Sequence, residues 1–102
     1  MKENKYPKLI LPDYFDERAE IETPDKGYLN GTVVVLEDGT RYQVYFIDPT
    51  RLKQDLDTEV ESGRPFLAET GLIILPLVTV ENARAVLPAL LADGFFESLK
   101  PM

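Results

Sequence analysis

Residues 31–49 read GTVVVLEDGTRYQVYFIDP. Two runs of β-branched and aromatic residues flank Asp38-Gly39, a dipeptide suited to the positive φ angles of a two-residue hairpin loop. Such a loop sets Glu37 opposite Thr40, Val35 opposite Tyr42 and Val33 opposite Val44. One face of the hairpin then carries Val33, Val35, Tyr42, Val44 and Phe46. The other carries Thr32, Val34, Leu36, Arg41, Gln43, Tyr45 and Ile47. The first is the expected core face.

Beyond the hairpin, Asp48-Pro49 has the grammar of a helix start, an acceptor at the N-cap followed by proline in the first turn. Leu52, Leu56 and Val60 recur every fourth residue as a narrow apolar stripe, and Gly63 is placed to end the helix. Arg51–Asp55 and Lys53–Asp57 are i,i+4 pairs, each worth a few tenths of a kcal/mol. A connection follows, with room for a small strand at residues 66–68. Residues 72–78 are apolar at nearly every position, which predicts a strand covered on both faces, with Pro76 at a bulge or an edge. Thr79 caps a second helix whose apolar face is Ala83, Val86, Leu87, Leu90 and Leu91. Pro88 should kink or restart that helix and Gly94 should end it, with Phe95 folding back on the last turn and Phe96 and Leu99 tacking down the tail.

Upstream, residues 1–7 read as a mobile lead-in and residues 8–11 as a short edge strand stopped by Pro12. Residues 13–25 are acidic, with one helical turn expected first and a weak strand at residues 19–23, before a turn at Pro24-Asp25-Lys26-Gly27. The expected fold is α+β: one domain over residues 1–102, with a mixed or antiparallel sheet of three to five strands built on the hairpin. Two helices should pack on one face. The connection through residues 48–71 is long enough for a crossover, which leaves both parallel and antiparallel placements of the residue 72 strand open.

Composition narrows the chemistry. The chain has no cysteine and no histidine, so disulfides, thiolate zinc sites, cysteine nucleophiles and a Ser-His-Asp triad are excluded. A net charge of −7 disfavours nucleic acid and anionic membranes as partners and favours a basic protein. No apolar run approaches the ~20 residues of a membrane-spanning helix, and residues 1–15 lack a signal-peptide core, which makes the cytoplasm the expected compartment. The acidic run lacks the spacing of a calcium loop, the glycines do not form a phosphate cradle, and neither Ser62 nor Ser98 lies in a nucleophile elbow. No cofactor, catalytic residue or metal ligand is assigned.

Two features point to protein binding. Tyr14 and Phe15 lie within acidic residues that include Asp16 and Glu17, a pattern suited to docking a basic partner or to packing under the sheet. Val34, Leu36, Arg41, Gln43 and Tyr45 form an outer hairpin face too apolar for a solvated one, to be covered by the N-terminal segment or by a second subunit. The expectation is a non-enzymatic protein-binding domain, either an inhibitor-like binder of a basic protein or a homodimeric accessory protein. The alternative is a domain for a small molecule or divalent cation, conceivably a carboxylate-based enzyme.

Overall fold

The computed structural model describes residues 5–102, so the lead-in expected over residues 1–7 falls partly outside the described residues. The elements are β1 (Lys8–Ile10), α1 (Glu17–Lys26), β2 (Tyr28–Val35), β3 (Arg41–Ile47), α2 (Pro49–Glu61), β4 (Leu72–Ile74), α3 (Val80–Ala92) and a closing 3-10 helix, Phe95–Ser98. The strands form one mixed sheet in the order β1-β2-β3-β4. β1, β2 and β3 pair antiparallel, and β4 lies parallel to β3 after the crossover through α2. This is the expected α+β domain built on a hairpin.

The hairpin loop is one residue longer than expected, and this corrects the register. Val35 pairs with Arg41, Val34 with Tyr42, Val33 with Gln43 and Thr32 with Val44. Gly39 N–H donates to the Leu36 carbonyl at 2.9 Å, and Leu36 N–H donates to the Thr40 carbonyl at 2.9 Å. The loop is therefore Glu37-Asp38-Gly39, a type I turn closed by Gly39 at φ 88. Asp38 has no positive φ, as a two-residue loop would have required. Its carboxylate instead accepts from Thr40 N–H at 2.9 Å.

One extra residue in the loop moves the β2 side chains to the opposite face. Val34 is buried with Tyr42, Val44 and Phe46, whereas Val33 and Val35 are half-buried on the outer side. Thr32 also turns inward, and its hydroxyl donates to the Val44 carbonyl at 2.8 Å, which satisfies the one polar atom it carries into the core. Further back the pairing slips by one residue between Leu29 and Thr32, and this bulge returns Leu29 to the inner face opposite Phe46.

The main core lies between the inner face and α3. Leu9, Leu29, Val34, Tyr42, Val44, Phe46 and Ile73 from the sheet meet Val80, Ala83 and Leu87 of α3, with Phe96 closing the cluster. Thr79 caps α3 by accepting from Asn82 N–H at 2.9 Å, and Gly94 ends it at φ 78. The helix runs unbroken through Pro88, which is exposed. The tail is fixed as expected: the Phe96 ring centroid lies 5.5 Å from that of Tyr42, and Met102 N–H donates to the Arg41 carbonyl at 2.9 Å.

α2 meets the other face, where one shared face was expected for both helices. Its Arg51 guanidinium stands 4.6 Å over the Tyr28 ring, and Tyr28 pairs with Ile47 on the row that alternates with Phe46. α2 has no buried residue. The strand expected over residues 72–78 ends at Ile74, with Ile74 and Leu77 each 50% exposed, and residues 66–68 form no strand.

The acidic segment is a third helix, correcting the expected turn and strand. Asp16 caps α1 by accepting from Ala19 N–H at 2.8 Å. Glu22 pairs with Arg18 at 3.1 Å and Lys26 at 3.4 Å, and Gly27, at φ 73, donates its N–H to the Thr23 carbonyl. Pro24 lies in the last turns, where its missing N–H loses a single intrahelical bond.

Candidate interaction surface

The outer sheet face divides into a covered half and an open half. In the covered half, Asp48 starts α2 by accepting from Arg51 N–H at 2.7 Å, and Arg51 Nε donates to Asp55 Oδ1 at 3.0 Å. The Tyr45 hydroxyl reaches the other Asp55 oxygen at 3.4 Å. Burial pushes the Tyr45 hydroxyl above its ordinary pKa, and the nearby Asp55 and Glu69 carboxylates push the same way. Arg51 thus spans an aromatic face and a carboxylate, and this polar clamp holds α2 where buried side chains do not.

In the open half, two rows cross three strands. Ile10, Val33 and Gln43 form one row, and Lys8, Val35 and Arg41 form the next. Ile10, Val33 and Val35 are half-buried, while Lys8, Arg41 and Gln43 are exposed. The apolar centre and polar border are those of a binding patch in miniature.

Of the residues singled out from sequence, Arg41, Gln43 and Tyr45 lie on this face. Val34 does not: at 0% exposure it belongs to the core, because the loop reverses its direction. Leu36 is half-buried and packs on the core, as does Phe15. Tyr14 is 74% exposed, with its hydroxyl over Gly31 in the bulge, 3.2 Å from where a Cβ would stand. Asp16 is engaged as the α1 cap and Glu17 is exposed. Sequence reasoning placed Val33 and Val35 in the core and left Ile10 and Lys8 unassigned. No signal in the letters corrects it, because Glu37-Asp38-Gly39-Thr40 fits a three-residue loop as well as a two-residue one.

Two clefts adjoin this surface. One, of about 170 Å³, lies between α1 and β2 and is lined by Tyr14, Phe15, Thr23, Lys26 and Tyr28; it falls below the ~300 Å³ of an ordinary ligand pocket. The other, about 320 Å³, is lined by Asn30, Gln43, Tyr45, Glu69 and Thr70 beside the open half. Among the described residues no three histidine, cysteine or acidic side chains gather as they would around a metal ion. Nor is any helix among them long and apolar enough to cross a membrane. Compared with protein-family models, curated proteins and solved structures, the chain has no match.

Proposed function

We propose that this chain is a non-enzymatic protein-binding domain that docks through the open half of its outer sheet face. The observation that carries the reading is the Ile10–Val33–Val35 centre, apolar across the adjacent strands β1 and β2 and away from the α2 contacts with Tyr28 and Tyr45. Lys8, Arg41 and Gln43 supply the polar rim. The net charge of −7 steers a basic partner toward the molecule as a whole, and Asp13, Asp16 and Glu17 beside Tyr14, rather than the cationic Lys8 and Arg41 of the rim, are its charged contacts. Tyr14, exposed among Asp13, Asp16 and Glu17, extends the surface past the bulge.

The test is affinity capture from lysate at low and high salt, with wild type beside a Val33→Lys/Val35→Lys double variant. Both positions are half-exposed, so the variant should fold, with its melting temperature lowered by only a few degrees. A specific band held by wild type at low salt, weakened by salt and lost in the double variant is the expected result. Equal capture by both proteins, or none by wild type, contradicts the reading.

A further inference from the structure

The bulge that returns Leu29 to the inner face also opens the sheet beside it. Leu29 pairs with Phe46 and Thr32 with Val44, so Asn30 and Gly31 together face Tyr45 alone. The cleft of about 320 Å³ lies there, with Asn30, Gln43 and Tyr45 from the hairpin and Glu69 and Thr70 from the approach to β4. Its volume reaches the lower bound of ordinary ligand pockets, but its lining is polar where theirs is mostly apolar. Among the described residues, the Asn30, Gln43 and Thr70 side chains have no hydrogen-bond partner, and no cation pairs with Glu69. Tyr45 gives its proton to Asp55, which leaves its oxygen as an acceptor. Arg51 is committed to Asp55 and the Tyr28 ring, and Arg41 stands one row beyond Gln43, outside the lining. Burial first, then the Asp55 and Glu69 carboxylates, raise the Tyr45 pKa, so the Glu69 charge is felt at that hydroxyl.

We propose that this cleft receives an arginine side chain of the basic partner, with Glu69 as its counter-ion. The site rests on the protein-binding reading above and adds a named charged contact to it. A guanidinium presents five N–H donors in one plane and no acceptor, which suits a cleft whose side chains offer acceptors on several sides. The Glu69 carboxylate takes two parallel N–H bonds, and the carboxamide oxygens of Asn30 and Gln43 with the hydroxyl oxygens of Tyr45 and Thr70 serve the remaining donors. A lysine ammonium, compact and more strongly hydrated, would meet Glu69 and leave the carboxamides to water. Gly31 also lines the cleft, and the Tyr14 hydroxyl stands 3.2 Å from where a Cβ of that glycine would be. The cleft therefore joins the acidic group around Tyr14 to Gln43 of the open half, and a bound arginine links the two parts of the surface.

The experiment needs no partner in hand. Amide chemical shifts of the full chain are followed during titration with N-acetyl-arginine amide, N-acetyl-lysine amide and N-acetyl-citrulline amide at constant ionic strength, each to about 50 mM. Citrulline keeps the length and shape of arginine and replaces the guanidinium with a neutral urea. The expected result is a saturable shift of the Asn30, Gln43, Tyr45 and Thr70 amides by the arginine compound, with a Kd of about 10 mM that weakens with added salt. The lysine compound should bind at least ~3-fold more weakly, and the citrulline compound should not saturate. Glu69→Gln, at an exposed position, should fold as wild type does and bind the arginine compound ~5-fold more weakly or worse. No saturable shift, equal binding of the lysine or citrulline compound, or unchanged binding by Glu69→Gln overturns the proposal. Should Glu69→Gln fail to fold, arginine against citrulline in wild type decides alone. The capture experiment separates this site from the surface around it. A band kept by Glu69→Gln but lost by Val33→Lys/Val35→Lys overturns the cleft and leaves the surface standing. A saturable arginine shift with no band captured by wild type overturns the partner as its source and makes the cleft a site for a free guanidinium compound.

Discussion

Gly39 and Gly71 both adopt positive φ, at 88 and 78, yet they stand in different surroundings. A Cβ at Gly39 would meet nothing within 4 Å, whereas one at Gly71 would come 2.5 Å from the Gln43 carbonyl oxygen. Gly39→Ala should therefore cost only the backbone strain, about 1–2 kcal/mol. Gly71→Ala adds a clash with rigid backbone and should cost ~3 kcal/mol or more, read as a lower urea midpoint at unchanged slope. Equal costs would mean that β4 lies further from β3 than described. Val34 and Val35 form a second pair of this kind. Val34→Ala empties a fully enclosed site and should cost ~2 kcal/mol, while Val35→Thr on the outer face should stay within ~0.5 kcal/mol. Tyr45 carries a pH signature. Its phenol is held above 10.0 in the fold, so its contribution is present below the unfolded value of about 10 and is lost as pH rises through the folded value. Urea unfolding between about pH 9 and 11 should show a shallower loss of stability in Tyr45→Phe than in wild type. The same slope in both would refute a buried, proton-holding Tyr45.

Among the elements, α2 and α3 have equal lengths and different holds. α3 buries Val80, Ala83 and Leu87, while α2 buries nothing and rests on the Arg51 clamp. Opening of α2 should then cost less than global unfolding, so its amides exchange well before those of α3. Arg51→Ala should widen that gap and leave α3 near its wild-type rates; loss of protection in both helices together would contradict a separately held α2. The elements also show what could be read from residue letters alone. The caps Asp48 and Thr79, the end at Gly94 and the pairs Arg51–Asp55 and Lys53–Asp57 are local, within four residues, and stand as expected. The α1 signals were equally local: Asp16 before Ala19, the Arg18–Glu22–Lys26 ladder and Gly27. Pro24, which with Gly27 reads as a turn, lies inside the last turns of the helix, where it removes only one intrahelical bond. Not legible was the Arg51–Tyr28 contact, because no local rule brings residues of β2 and α2 together.

For the whole molecule, the hairpin loop decides which surface faces outward. The letters Glu37-Asp38-Gly39-Thr40 permit a two-residue or a three-residue loop, and periodicity could not choose because Val33, Val34 and Val35 are identical. The sheet class, the strand order within the hairpin and the inward phase of Tyr42, Val44 and Phe46 were unaffected. The composition of the outer face was not, and Val34 changed places with Val33 and Val35. Both proposals use the outer face, but Gln43 and Tyr45 of the cleft point outward in either register, whereas the Ile10–Val33–Val35 centre depends on it. The hydrogen bond between Leu36 and Thr40 makes Val35–Arg41 and Val33–Gln43 the close, non-hydrogen-bonded pairs, with Cα atoms ~4.5 Å apart. Nuclear Overhauser spectra in heavy water measure this directly. Strong Hα–Hα cross-peaks from Val33 to Gln43 and from Val35 to Arg41 are the predicted result; peaks from Val34 to Gln43 and from Leu36 to Arg41, the close pairs of a two-residue loop, would contradict it.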